Sequence, residues 1–184
     1  MTAPRAILLV RCPDRPGIVA AISSFLFRHG ANITDFDQHT SEDEAAVYFT
    51  RLEFQIDRID LPLDDLEKAF ALDVARPFAM DSRLTLSSRR KRVAVLVSRQ
   101  DSGRGRAATC APTSPVGATA HYVTAELDAG PIIEQDVGRV THRDLIEDLK
   151  HLGRDLERRV LARAARWHCD DRVIVHGNKT VVFS

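Results

Sequence analysis

The chain has 184 residues, enough for one large domain or two small ones, and its 44% apolar and 28% charged content is ordinary for a globular protein. Twenty-six basic residues balance twenty-six acidic ones, so no net charge draws the chain to nucleic acid or to an anionic membrane. Cys12, Cys110 and Cys169 are widely spaced and form no C-x-x-C pair, which argues against a disulfide framework, a zinc knuckle or any other metal site. The first apolar run, Ala6 to Val10, is too short for a signal peptide or a membrane span. A cytoplasmic protein is expected. The basic cluster Arg89-Arg90-Lys91-Arg92 has no aromatic interleaving and reads as a solvated linker running into a strand.

Ala6 to Val10 predicts a buried strand, stopped by the two prolines and glycine of Cys12 to Gly17. A helix is expected from Gly17, with Ile18, Ile22, Phe25 and Leu26 on one face and Gly30 at its C-cap. Asn32 to Phe36 begins a second strand. A polar turn over Ser41 to Glu44 leads to a third strand, Ala45 to Ile56, whose alternation slips near Arg51. A second helix places Leu63, Leu66, Phe70 and Val74 on one side, and a strand from Arg83 to Leu86 completes the unit. The order is βαββαβ: a ferredoxin-like antiparallel sheet with two helices on one face. His29 and His39 have no evident carboxylate or metal partner and read as surface or edge residues.

Two runs carry a resemblance: Asp14-Arg15-Pro16-Gly17-Ile18-Val19 at the strand-to-helix turn, and Gly30-Ala31-Asn32-Ile33 at the next strand. Together, in this element order, they resemble the ACT domain, a regulatory module that usually binds an amino acid between two associated copies. The resemblance implies a domain over residues 1–88 that forms a homo-oligomer. It also implies an effector site at Asp14, Gly17, Ile18, Asn32 and Ile33, with glycine or methionine as first ligands to try. The chemistry is legible: Gly17 lets a ligand approach free N–H groups at a helix N-terminus, and Asn32 offers a donor and an acceptor.

Residues 89–184 begin with Lys91 to Ser98, a β-branched run that suits the first buried strand of a parallel α/β sheet. Arg99 to Pro115 has no period and reads as an irregular junction. Strands are expected at Gly117 to Thr124 and Ile132 to Val137, around a turn-rich loop. A long helix should run from about Asp144 to Trp167, with Leu145, Leu149, Leu152, Leu156, Val160, Ala164 and Trp167 on one face. Val173 to His176 and Lys179 to Phe183 form a hairpin over Gly177-Asn178.

The block from His121 to Ile133, H-x-x-x-x-x-x-D-x-G-P-I-I, resembles the formyltransferase fold, and with an ACT domain in front it resembles the formyltetrahydrofolate deformylases. The resemblance implies a Rossmann-like α/β domain that hydrolyses formyltetrahydrofolate to tetrahydrofolate and formate, with the folate as substrate and no cofactor. In that family an Asn, a His and an Asp act together. Asp128 matches the catalytic Asp, and His121 a supporting histidine. The catalytic Asn and His belong to an N-x-H segment between the first strand and this hairpin. No Asn lies between Lys91 and Gln135 here, and His121 is the only His. The domain reads as internally truncated, and Ser102 to Pro115 would suit an internal deletion or an out-of-frame reading. Two functions are therefore expected to compete: a deformylase by descent that has lost activity, and an ACT-type binding or dimerisation module without catalysis.

Overall fold

The computed structural model describes residues 4–42, 45–94, 113–126 and 128–184. Its elements are β1 (Arg5–Pro13), α1 (Ile18–Arg28), β2 (Asn32–Thr40), β3 (Val47–Gln55), α2 (Leu63–Phe70), β4 (Asp81–Leu86), β5 (Thr113–His121), β6 (Ile132–Thr141), α3 (Ile146–Cys169), β7 (Val173–His176) and β8 (Lys179–Val182). They fall into two compact units. The first comprises residues through Arg90 together with Asp170–Ile174 and Val181–Ser184; the second comprises Lys91–Cys169 and Val175–Thr180.

In the first unit an antiparallel sheet has the order β2-β3-β1-β4. Ala6, Leu8, Val10 and Cys12 of β1 and Tyr48, Leu52 and Phe54 of β3 point to the helices. There they meet Ile18, Ile22, Phe25 and Leu26 of α1 and Leu66 and Phe70 of α2. One π-helical turn, Ala71–Ala75, extends α2, closed by a hydrogen bond from Arg76 N–H to Ala71 O, and both Val74 and Ala75 are buried.

The two helices lie on one face of the sheet, as expected, and the other face is buried as well. Ile7, Leu9 and Phe49 point away from the helices and are also buried. The apparent slip near Arg51 is no slip, since β1 and β3 pair without a break from Arg5↔Gln55 to Pro13↔Val47. The apolar residues on both parities of β3 record two buried faces; the sheet's irregularity lies in β2, between Ile33 and Asp35. The second face is joined by the chain's C-terminal segment. Arg51 donates to the carbonyls of Asp171 (3.2 Å) and Asp170 (3.5 Å), and the Asp171 carboxylate accepts from Arg83 (2.6 Å) and Thr85 (3.2 Å). Burying Ile7, Leu9 and Phe49 is worth about 1.5–3 kcal/mol per side chain. Buried ion pairs roughly break even against desolvation. Apolar burial therefore contributes more to the stability of this face than its ion pairs do.

The second unit contains β5 and β6 as an antiparallel ribbon with α3 against one face. Leu156, Val160 and Ala164 of α3 are buried, Leu152 closes over Gly138, and Arg159 and Arg163 pair with Asp136 and Glu134 of β6. The opposite face carries exposed Gln135, Val137 and Arg139. Four expectations are corrected here. Lys91 to Ala94 is not a strand, and Val93 is exposed; a β-branched run becomes a strand only against neighbours that bond and cover it. Val95 to Ser98, like the junction from Arg99 to Pro112, lies outside the described residues. β5 starts at Thr113 and ends at His121, so Tyr122 to Thr124 belong to the loop. α3 starts at Ile146, leaving Leu145 71% exposed rather than on the packed face.

Candidate functional site

The loop between β5 and β6 is built around Tyr122 and Gly130. The ladder shifts register between Ala120 and His121, so that His121 pairs with Ile132. The loop is then closed by a hydrogen bond from Tyr122 N–H to Pro131 O (3.0 Å). Gly130 is buried beneath this closure: a Cβ there would lie 1.6 Å from Tyr122 O. On the other side the Tyr122 hydroxyl shares a hydrogen bond with His168 Nδ1 of α3 (2.9 Å).

This arrangement brings His121 and Asp128 together. His121 Nε2 lies 3.7 Å from Asp128 Oδ1, and His121 Nδ1 lies 3.0 Å from Tyr122 O. A carbonyl oxygen only accepts, so Nδ1–H must donate to Tyr122 and Nε2 is the nitrogen presented to the carboxylate. A singly protonated ring then has a lone pair facing Asp128, and only the imidazolium can bond on both sides. Asp128 has a left-handed backbone (φ 56°), and its side chain is 81% exposed. The pair can hold and orient a water molecule. It presents no neutral donor aimed where an oxyanion would form. Among the described residues, no group of three His, Cys, Asp or Glu side chains is placed to hold a metal.

The first unit places the other expected site residues as follows. Gly17 adopts φ 94° as N-cap of α1, and no side chain caps the helix or adds acidity to its first turn. Its backbone amides therefore face outward as an anion-attracting end. Asp14 is exposed and donates its N–H to Ala46 O (2.8 Å). Arg15 is held over the Phe78 ring at 4.3 Å and bonds to Pro77 O. The Ile18 side chain is 2% exposed in the core, so a ligand here would meet its backbone. Ile33 packs against the same core, and Asn32 donates to Gln55 Oε1 (3.1 Å).

The two halves of the expected effector site do not meet within one copy. Gly17 follows the Pro13 end of β1, which pairs with Val47. Asn32 pairs with Gln55, which faces Arg5 at the other end of β1. They are separated by the length of the sheet. Of the two histidines, only the reading of His29 changes, and His39 is an exposed edge residue as expected. His29, read as partnerless, pairs with Asp60 through Nδ1 (2.8 Å) and packs at a tilt against the Phe25 ring, with centroids 4.5 Å apart. His39 on the edge strand stacks on Phe49 at 6.3 Å. Tyr122 and Gly130 stood in the quoted block without an assigned role, and sequence reasoning missed that they close the loop and that His168 bonds to Tyr122.

Comparison with known proteins follows the same division. The ACT domain family model matches residues 6–71 and the formyl transferase model residues 105–165. The formyltetrahydrofolate deformylase of Bacillus subtilis (strain 168) is 34% identical over 280 aligned positions, covering 96% of this chain and 93% of that protein. That of Mycobacterium tuberculosis (strain ATCC 25618 / H37Rv) is 32% identical over 278 positions, covering 96% and 90%. Both alignments are far longer than the 184 residues here and reach close to both ends, so these relatives carry internal positions with no counterpart in this chain. The crystal structure of a formyltetrahydrofolate deformylase from Pseudomonas syringae pv. tomato str. DC3000 superposes with a TM-score of 0.82 at 30% identity, covering 100% of this chain and 96% of that one. With an ACT fold in front, a formyl transferase segment behind and relatives matched along nearly their whole length, the chain belongs to the formyltetrahydrofolate deformylase family.

Proposed function

We propose that this chain descends from an enzyme hydrolysing formyltetrahydrofolate to tetrahydrofolate and formate, without a cofactor, and has itself lost that activity. The observation that carries the reading is the isolation of Asp128: His121 is the only imidazole, and there is no Asn, between Lys91 and Gln135. Hydrolysis of the formyl group needs a donor on the developing oxyanion and a proton for the departing folate nitrogen. The Asp128–His121 pair supplies a water-orienting carboxylate and neither of the others. Groups that act as a unit lose orders of magnitude in rate when one is removed.

The test is direct. The purified chain should release no formate from formyltetrahydrofolate above background. Replacing residues 99–112 with the corresponding longer segment of a full-length relative should restore turnover, and Asp128→Asn in that restored protein should then remove most of it. Formate release by the unmodified chain, indifferent to Asp128→Asn, would overturn both the assignment of Asp128 and the loss of activity.

A second reading is favoured by the geometry of the first unit. The ACT half binds a small amino acid, glycine or methionine being the first to try, at a site shared by two copies. β2 is an edge strand. If two β2 strands pair antiparallel about a two-fold axis, the Asn32 end of each lies beside the Gly17 end of the other. The separation of these residues within one copy is then what such a site requires.

A further inference from the structure

We propose that Arg51 is a conformational coupler that ties the edge strand β2 to the C-terminal segment, so that a displacement of β2 is transmitted to residues 170–174. Arg51 is the largest of the fully buried side chains, 2% exposed, on the sheet face opposite the helices. Its guanidinium is divided among three parts of the chain. Nη1 donates to Asp35 Oδ2 on β2 (2.7 Å), and Nη2 to Glu53 Oε2 on β3 (3.1 Å). Nε donates to Asp171 O (3.2 Å) and Nη2 also to Asp170 O (3.5 Å) in the C-terminal segment.

A guanidinium is planar and rigid, so these bonds are not independent. Turning the plane to follow one acceptor withdraws N–H groups from the others. Burial sharpens this, because the rigid plane cannot turn freely among packed neighbours, so losing one acceptor shifts it off the geometry that serves the others. Asp35 is the edge-strand end of the arrangement: it lies on β2, just past the irregularity after Ile33. The segment it is tied to has a second anchor of its own, the Asp171 carboxylate on Arg83 and Thr85 of β4. Asp170 follows directly on Cys169, the last residue of α3. A pull on β2 therefore reaches Asp170 and Asp171 through one side chain. That an amino acid is what moves β2 rests on the second reading above; the coupling itself does not.

Hydrogen exchange on the full chain, read by mass spectrometry for the wild type, Asp35→Asn and Asp171→Asn, tests the coupling without any ligand. Asp35 is ion-paired with Arg51, so Asp35→Asn acts on the C-terminal segment through that guanidinium. Exchange over residues 170–174 should accelerate on the order of tenfold in Asp35→Asn, the loss of one charge-assisted bond, with α2 unchanged. Asp35→Glu should return part of the protection. Acceleration in Asp171→Asn but not in Asp35→Asn would overturn the proposal, since β4 alone would then hold the segment. An equal acceleration that includes α2 would overturn it as well, as general destabilisation. A response in neither variant would show that the network does not hold the segment at all. Because no amino acid is added, failure here leaves the effector reading standing, and silence in a binding experiment leaves the coupling standing.

Discussion

Glu53 sits between two arginines, bonded to Arg5 through Oε1 (3.1 Å) and to Arg51 through Oε2 (3.1 Å). Burial pushes its carboxyl upward, but the hydrogen bonds from Arg5 and Arg51 outweigh burial and hold it below the usual carboxylate range. A carboxyl depressed in the folded state stabilises the fold at pH values above its unfolded value, about 4.3, and that stability is lost as pH falls through the folded value. Urea midpoints measured from pH 7 downward should therefore decline below about pH 4.3. Glu53→Gln should be less stable at pH 7, because it leaves Arg51 buried with one fewer anion, and should show a shallower acid decline. An unchanged acid profile in Glu53→Gln would assign the decline to other carboxyls. None of this was legible in the sequence, where Arg51 showed only as an interruption of alternation in β3.

The β5–β6 ribbon depends on a loop that bends back under its own first residue. Gly130 has no room for a methyl group against Tyr122 O. Gly130→Ala must break the closure between Tyr122 and Pro131 or shift the backbone, a cost of about 1–3 kcal/mol by the usual measure of overpacking. The expected result is a lower thermal midpoint, together with loss of the His121 Nδ1 hydrogen-bonded signal in NMR, since that bond ends on the displaced carbonyl. A variant with the wild-type midpoint and an intact imidazole signal would show that the loop closes without Gly130. Hydrophobic periodicity announced the strands and α3 because burial against one partner writes a period into the sequence. It missed their ends. Tyr122 to Thr124 are β-prone yet leave the ladder where the register shifts, and Leu145 has helical spacing yet lies before the first turn of α3.

For the whole molecule, the effector reading requires two copies, and this can be tested by mixing. In calorimetry with glycine or methionine, Gly17→Val and Asn32→Ala should each abolish binding alone. Unfolded together and refolded, they should regain about a quarter of the wild-type sites, since half the random dimers are mixed and each has one intact site of two. No regain would show that Gly17 and Asn32 do not serve one site. A wild-type chain silent to all twenty amino acids would leave the ACT unit a structural module. The proposed loss of formate release belongs to this scale too, because the positions that separate this chain from its longer relatives are internal ones.

The sequence by itself determined the βαββαβ order, the glycine turn at Gly17 and the H-x6-D block of the hairpin, because each is written in local spacing or in the steric needs of one residue. The tertiary structure decided three matters that depend on long-range partners. On the second face of the sheet, Asp170 and Asp171 return to Arg51 from about 120 residues away, a contact with no local period. Gly17 and Asn32 fall at opposite ends of the sheet because strand register, not motif order, sets distance. Lys91 to Ala94, the described start of the β-branched run Lys91 to Ser98, is not a strand, because a strand forms only when a neighbour accepts its hydrogen bonds.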